Sequence, residues 1–211
     1  MERIIHTHSN VFAEEILESG FSCARCGWCC RENFNIRITR DILRPSNAIS
    51  IFPDDIRHIA SGTRLKLDEI ALPDSYSCLS DGVNLLAIGW ILRRNDEGEC
   101  VFYREGSCTI YELRPMICRC YPYFLDEKCN IEVLHCERHG NKMSEQSSTV
   151  MGHLVKRYEL KKLQSYIRII AQVGDLLKLS NLKALPKNYR DDILVCDGEA
   201  KRRWRQNFEI I

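Results

Sequence analysis

The chain has 211 residues, of which 45% are hydrophobic and 28% charged, values that suit a globular domain with a core of its own. Its formal net charge of +1 excludes a whole-molecule field that would draw it to nucleic acid or to an acidic substrate. The outlier is cysteine: there are twelve, and all except Cys196 lie at or before Cys136.

The N-terminal stretch Met1 to His8 runs into Glu14 and Glu15 without an apolar run or a small-residue cleavage site, so no signal peptide is expected. No uncharged apolar run reaches the ~18 residues that span a bilayer, so no membrane partner is expected either. A reducing, cytoplasmic location follows as an expectation. In such a compartment clustered thiols read as metal ligands rather than as disulfides.

Residues Asn10 to Glu18 place Val11, Phe12, Ile16 and Leu17 among acids, which predicts a short amphipathic helix ended by Gly20. Phe21 to Arg31 is too dense in cysteine for a regular element. Alternation over Asn35 to Ile38 predicts a strand, and Thr39 is placed to cap the segment after it, with Asp41 in the first turn. Pro53-Asp54-Asp55 opens a helix through Ala60, closed by Ser61-Gly62. Leu67 to Leu72 is a further helical turn. Val83 to Leu92 reads as one buried strand, with a turn from Arg93 to Gly98, and Ile131 to Leu134 as another strand.

From Ser144 to about Leu179, apolar residues at Met151, Leu154, Tyr158, Leu163, Ile167, Ile170, Val173 and Leu177 follow helical spacing, with Gly174 as a point of kinking or division. Residues 144–211 carry 13 Lys and Arg against 8 Asp and Glu, whereas the residues before them carry 17 against 21. The expected fold class is α+β. An irregular cysteine-rich metal-binding core with short strands would occupy 1–143, and a mainly helical region, 144–211, would pack on it as part of one structural unit. The long helix is also the surface through which a protein partner would be met.

Two cysteine groups carry the chemistry. The first is Phe21-Ser22-Cys23-Ala24-Arg25-Cys26-Gly27-Trp28-Cys29-Cys30-Arg31. Two-residue spacers let successive thiolates curl around one ion or cluster, while the turn aims backbone N–H groups at sulfur. Gly27 supplies a conformation that a Cβ would penalise, and Arg25 and Arg31 can offset thiolate charge. Adjacent cysteines such as Cys29 and Cys30 rarely serve one tetrahedral ion together, which leaves a bridging or spare-thiol role open for one of them. Asn33 breaks both the radical-SAM spacing and the bacterial ferredoxin run. Cys136 and Arg138 lie between His135 and His139, which argues against a zinc-finger helix.

The second group runs from Cys100 through Cys108-Thr109-Ile110-Tyr111-Glu112-Leu113-Arg114-Pro115-Met116-Ile117-Cys118-Arg119-Cys120-Tyr121-Pro122, with Cys136 beyond it. Arg114-Pro115 fixes a rigid turn that would aim Cys118 back toward Cys108, with Glu112 pairing Arg114 or Arg119. Taken together the two groups, with Ile38 to Ile42 between them, resemble the YkgJ-type cysteine-cluster family, also called the CxxCxxCC or zinc- or iron-chelating domain. The resemblance covers roughly residues 21–140. It implies zinc or an iron–sulfur cluster, for example [4Fe–4S], on Cys23, Cys26, Cys29, Cys30, Cys100, Cys108, Cys118 and Cys136.

One branch of the family contains flagellin lysine N-methylases, which use S-adenosylmethionine. No Gly-x-Gly-x-x-Gly loop for a nucleotide is present here, so methyl transfer is not inherited from the resemblance. The role expected first is a zinc- or iron–sulfur-binding protein whose centre is structural, a store or a carrier. The alternative is an iron–sulfur-dependent oxidoreductase or protein-lysine methyltransferase. Cys78 and Cys196 are expected to be buried small hydrophobes, and Cys120 and Cys129 fall outside the family blocks. Either His135 or His139 could complete a coordination sphere. Tyr121 to Phe124 reads as core, and Lys201 to Arg205 as a solvated helix face rather than a nucleic-acid surface.

Overall fold

The computed structural model describes residues 2–31, 35–37, 43–80, 85–134, 142–174 and 193–204. The chain divides into two units. Met1–Arg31 and Phe102–Gln164 form the first, and Glu32–Val101 and Ser165–Ile211 form the second. Helices and short strands alternate through both, a mixed α+β architecture. The predicted capping by Thr39 and Asp41, and the residues His135, Cys136 and His139, lie outside the described residues.

The first unit is organised by its helices. The amphipathic helix Ser9–Ser19 buries Phe12 and Ile16 completely. Gly20 ends it in a left-handed conformation, φ 65°, its N–H donating to the Leu17 carbonyl. The long helix Glu145–Val173 takes the apolar spacing seen in the sequence. Its Gly152 meets the short helix at close range: a Cβ there would stand 2.7 Å from the Ser9 carbonyl oxygen. Around this crossing Ile4, Phe12, Ile16, Phe21, Tyr123, Leu125 and Val155 form one core, which also takes in Cys120 and Cys129.

The antiparallel hairpin Tyr123–Leu125 with Ile131–Val133 is tied to that core by polar bonds. The Tyr123 hydroxyl donates to the Phe21 carbonyl at 2.7 Å, and the Ile131 N–H donates to the Glu15 carboxylate at 2.7 Å. The first of these, with the edge-on contact of the Phe21 and Tyr123 rings, holds Phe21, the residue from which the first cysteine motif departs. Pro122 and Tyr123 are buried, as core residues should be.

In the second unit a four-stranded sheet runs in the order Lys201–Trp204, Ile193–Cys196, Leu85–Ile88, Cys78–Ser80. Its central pair is parallel and its outer pairs antiparallel. Leu79, Leu86, Ile169, Val173 and Cys196 pack on one another as its core. A smaller sheet places Trp90–Leu92 between Ser50–Ile51 and Ala71–Pro73, both antiparallel to it. The helix Pro53–Thr63 starts where the sequence puts it, with Pro53 in its first turn and the Asp55 carboxylate accepting the Phe52 N–H at 3.0 Å. It runs past Ser61-Gly62 to Thr63.

Three predicted elements differ. The single strand Val83 to Leu92 is two strands in two sheets, because Gly89 adopts φ 81° and redirects the chain. The Gly89 N–H is used there by the Cys196 carbonyl, and its carbonyl by the Asp74 N–H. Leu67 to Leu72 is helical only over Leu67–Ile70, then becomes strand. Lys201–Trp204 is a strand rather than a helix face. Asp197 decides this one: its carboxylate accepts the Glu199 and Ala200 N–H groups at 3.0 and 2.8 Å and so makes a hairpin turn with Gly198. Trp204 then lies edge-on to Trp90, with ring centroids 5.5 Å apart.

Candidate metal centre

From Phe21 the chain leaves the core of the first unit and enters the cysteine loop. Two left-handed residues shape it: Arg25 at φ 56° and Gly27 at φ 67°. A Cβ on Gly27 would stand 2.5 Å from the Tyr103 ring and 3.0 Å from the Gly106 carbonyl oxygen. Glycine is therefore required twice, by backbone conformation and by close approach. Tyr103 belongs to the small hairpin Tyr103–Arg104 with Ser107–Cys108, whose turn residues Glu105 and Gly106 both have positive φ. The loop of the first motif thus rests on the hairpin that delivers Cys108. After Gly27 the chain makes one helical turn, Trp28–Arg31, which carries Cys29 and Cys30.

The second motif continues from Cys108. A 3-10 turn, Tyr111–Leu113, leads through Arg114 and the buried Pro115 into the short helix Met116–Cys120. That helix separates its two cysteines: Cys120 is buried in the hydrophobic core of the unit, while Cys118 is only partly buried. Arg114 organises the turn. Its Nε donates to the Tyr111 carbonyl at 2.8 Å and its Nη1 to the Cys118 carbonyl at 3.4 Å. Its guanidinium also lies 3.4 Å from the centre of the Tyr111 ring, on which the Arg25 guanidinium stacks too, at 4.3 Å. The sequence suggests Glu112 as the partner of Arg114 or Arg119; the partners described for Arg114 are the Tyr111 and Cys118 carbonyls and the Tyr111 ring. Nothing in one-dimensional spacing points to the Arg25 contact with Tyr111.

The electrostatics bring the two motifs together. Cys29 is pushed well above the ordinary thiol value, first by its hydrogen bond to Cys30, then by burial and by the charge of Cys30, with Arg114 opposing. Burial chiefly raises Cys118, and the charges of Cys30, Cys29 and Cys108 raise it further, again against Arg114. Burial raises Cys108, with a contribution from Cys29. The charges of Cys29, Cys30 and Cys108 thus act on Cys118, and that of Arg114 acts on Cys29, Cys108 and Cys118. As thiolates these cysteines repel, and a cation would remove that repulsion.

Cys23 is exposed, its Sγ accepting the Arg25 N–H at 3.4 Å, and Cys26 is half-buried. Cys100 is buried in the second unit, where its backbone pairs antiparallel with that of Arg94 in an isolated β-bridge. Among the described residues, no three His, Cys, Asp or Glu side chains stand close enough together to hold a metal ion. The four thiols influence one another electrostatically without being closed around one point. Their chemistry still fits: soft thiolate donors in this number are what zinc and iron–sulfur centres take.

The other thiols behave as side chains of a core. Cys78 and Cys196 are fully buried, as the sequence suggests. Burial, helped by the charge of Asp74, pushes Cys78 up to about 12. Cys129 is buried with Cys120 in the first unit.

Two cysteine motifs packed on one another, apart from the core thiols, define a cysteine-rich protein with the donor chemistry that zinc and iron–sulfur centres take. Residues 22–137, more than half of the chain, match the CxxCxxCC family, described as "Putative zinc- or iron-chelating domain", and the chain belongs to that family. No curated protein matches the chain, and no solved structure does. Among the described residues no helix is long and apolar enough to cross a membrane.

Proposed function

We propose that the chain binds zinc or iron through the thiolates of Cys29, Cys30, Cys108 and Cys118, with Cys23, Cys26 and Cys136 as further donors. The observation that carries this reading is the packing of the first motif on the second: Gly27 lies against Tyr103 and Gly106 of the hairpin that ends in Cys108, and Arg25 and Arg114 share the Tyr111 ring. Four thiolates are the number for a closed zinc site or for one [4Fe–4S] cluster, and Cys23 or Cys26 supplies the fourth where only one of the adjacent Cys29 and Cys30 binds. The Arg114 guanidinium lowers the cost of keeping several sulfurs ionised beside one another. The Gly27 turn sets Cys29 and Cys30 on one helical turn, Cys108 ends a hairpin strand, and the Pro115 turn sets Cys118 on a short helix, so that small local movements would close the donors. A reducing compartment such as the cytoplasm is where this chemistry persists.

Loading the site releases protons, because the ligands are thiols before the metal arrives. Affinity therefore rises with pH. The deciding experiment is elemental analysis with an absorption spectrum on the full chain purified without oxygen. Stoichiometric zinc, or iron with acid-labile sulfide and thiolate-to-metal absorption, is the expected result. Neither metal in anaerobic protein would overturn the reading.

A further inference from the structure

We infer that Tyr111 is a positioning residue for this centre: its ring clamps Arg25 of the first cysteine motif to Arg114 of the second. The inference rests on the metal-binding reading above and extends it to side chains that carry no donor atom.

Three observations support the clamp. Two guanidinium groups share one phenol ring, at 4.3 and 3.4 Å from its centre. Like charges at that range repel, so the arrangement has to be held by the ring and by nearby negative charge. Arg25 occupies a left-handed backbone conformation, φ 56°, that disfavours a residue bearing a Cβ. Strain of this kind persists where surrounding contacts fix it, and the contacts here are the stacked guanidinium and the Arg25 N–H directed at the Cys23 sulfur. Finally, Arg114 is bonded at both of its ends, to the Tyr111 carbonyl and to the Cys118 carbonyl.

The result is a continuous chain of contacts. It runs from the Cys23 sulfur through Arg25 and the Tyr111 ring to Arg114 and the backbone of Cys118. The residues it joins are distant in sequence, and the loop Cys23 to Gly27 is bent by its two left-handed residues. Holding that loop against the second motif before metal arrives reduces the ordering that binding must impose. Arg25 is exposed and ligates nothing, so its effect on the metal can come only through this contact and through its charge.

The test uses the full chain with whichever metal, zinc or iron, purifies with the wild type. Release into a colorimetric chelator is timed for Tyr111→Leu, Tyr111→Phe, Arg25→Ala and the double variant Arg25→Ala/Tyr111→Leu. Tyr111→Leu and Arg25→Ala should each release metal about 10–100-fold faster, the range found when supporting contacts around ligands are lost. The double variant should be no faster than the worse single one, since both break the same contact. Tyr111→Phe keeps the ring and should match the wild type.

A merely structural role would lower the melting temperature of the metal-free chain in proportion, so that temperature is measured on the same variants. Arg25→Ala should leave it unchanged. Wild-type release rates in Tyr111→Leu and Arg25→Ala, strictly additive effects, or a Tyr111→Phe variant as impaired as Tyr111→Leu would each overturn the clamp. A wild-type chain that binds neither metal would overturn the metal-binding reading instead, and the two failures are therefore distinct.

Discussion

The two units use the same residues in opposite ways. In the second unit, cysteines at Cys78 and Cys196 lie in a regular sheet and fill space, and charged groups are matched with carboxylates. Arg44 meets Asp74 at 2.8 Å, and Asp197 gathers Arg202, the Trp90 indole N–H and two backbone N–H groups. In the first unit the chemically competent cysteines lie in a loop, single helical turns and a two-residue hairpin strand, and the nearby cations Arg25 and Arg114 stack on the Tyr111 ring. The difference teaches that burial in a sheet makes a thiol inert, whereas irregular backbone leaves it near others of its kind.

The largest test of that contrast is Cys118→Ser or Cys29→Ser, which should remove the bound metal and destabilise the first unit. Structural zinc sites in small domains supply about 10 kcal/mol or more of apparent free energy, so the loss should show in metal content and in thermal unfolding together. Unchanged metal content in both variants would erase the distinction between the units.

Next comes Asp197→Ala. It strips a buried carboxylate from Trp90, Arg202 and a hairpin turn, and should cost the chain about 3 kcal/mol by denaturant unfolding while leaving metal content intact. The same group predicts a pH dependence. Hydrogen bonds from Trp90, the Glu199 and Ala200 N–H groups and Arg202 outweigh burial and hold Asp197 below its ordinary 3.8. Its stabilisation is therefore complete above that value and is lost as pH falls through the lower folded value. Asp197→Asn should flatten stability against pH below about 4.

Glycines sharpen the comparison further. Gly27→Ala combines a positive φ with a Cβ 2.5 Å from Tyr103, and should cost about 3 kcal/mol and speed metal release. Gly89→Ala meets open space at φ 81°, so only the backbone penalty of about 1–2 kcal/mol applies. Similar losses at the two positions would show that the hairpin under the cysteine loop is pliable. The smallest effect belongs to Cys196→Ala, about 1 kcal/mol with metal content unchanged. Loss of metal there would put a core thiol into the site.

Much of this molecule was legible in one dimension. Cysteine spacing marked both motifs, and apolar periodicity found the helix Glu145–Val173 and the helix Ser9–Ser19 within a residue or two at the ends that can be compared. These signals are local, because ligand spacing and helical period are properties of neighbouring residues. Gly89 hid a division between two sheets, since one left-handed glycine inside an apolar run looks like continued strand. Lys201–Trp204 became a strand through a turn set by Asp197 and a stacking contact with Trp90, neither visible in its own composition. The electrostatic influence of Cys29, Cys30 and Cys108 on Cys118, the burial of Cys120 two residues later, and the stacking of Arg25 and Arg114 on Tyr111 were all decided by tertiary structure. Such contacts depend on which faces of short elements meet after packing, and a sequence records the donors without recording where packing brings them together.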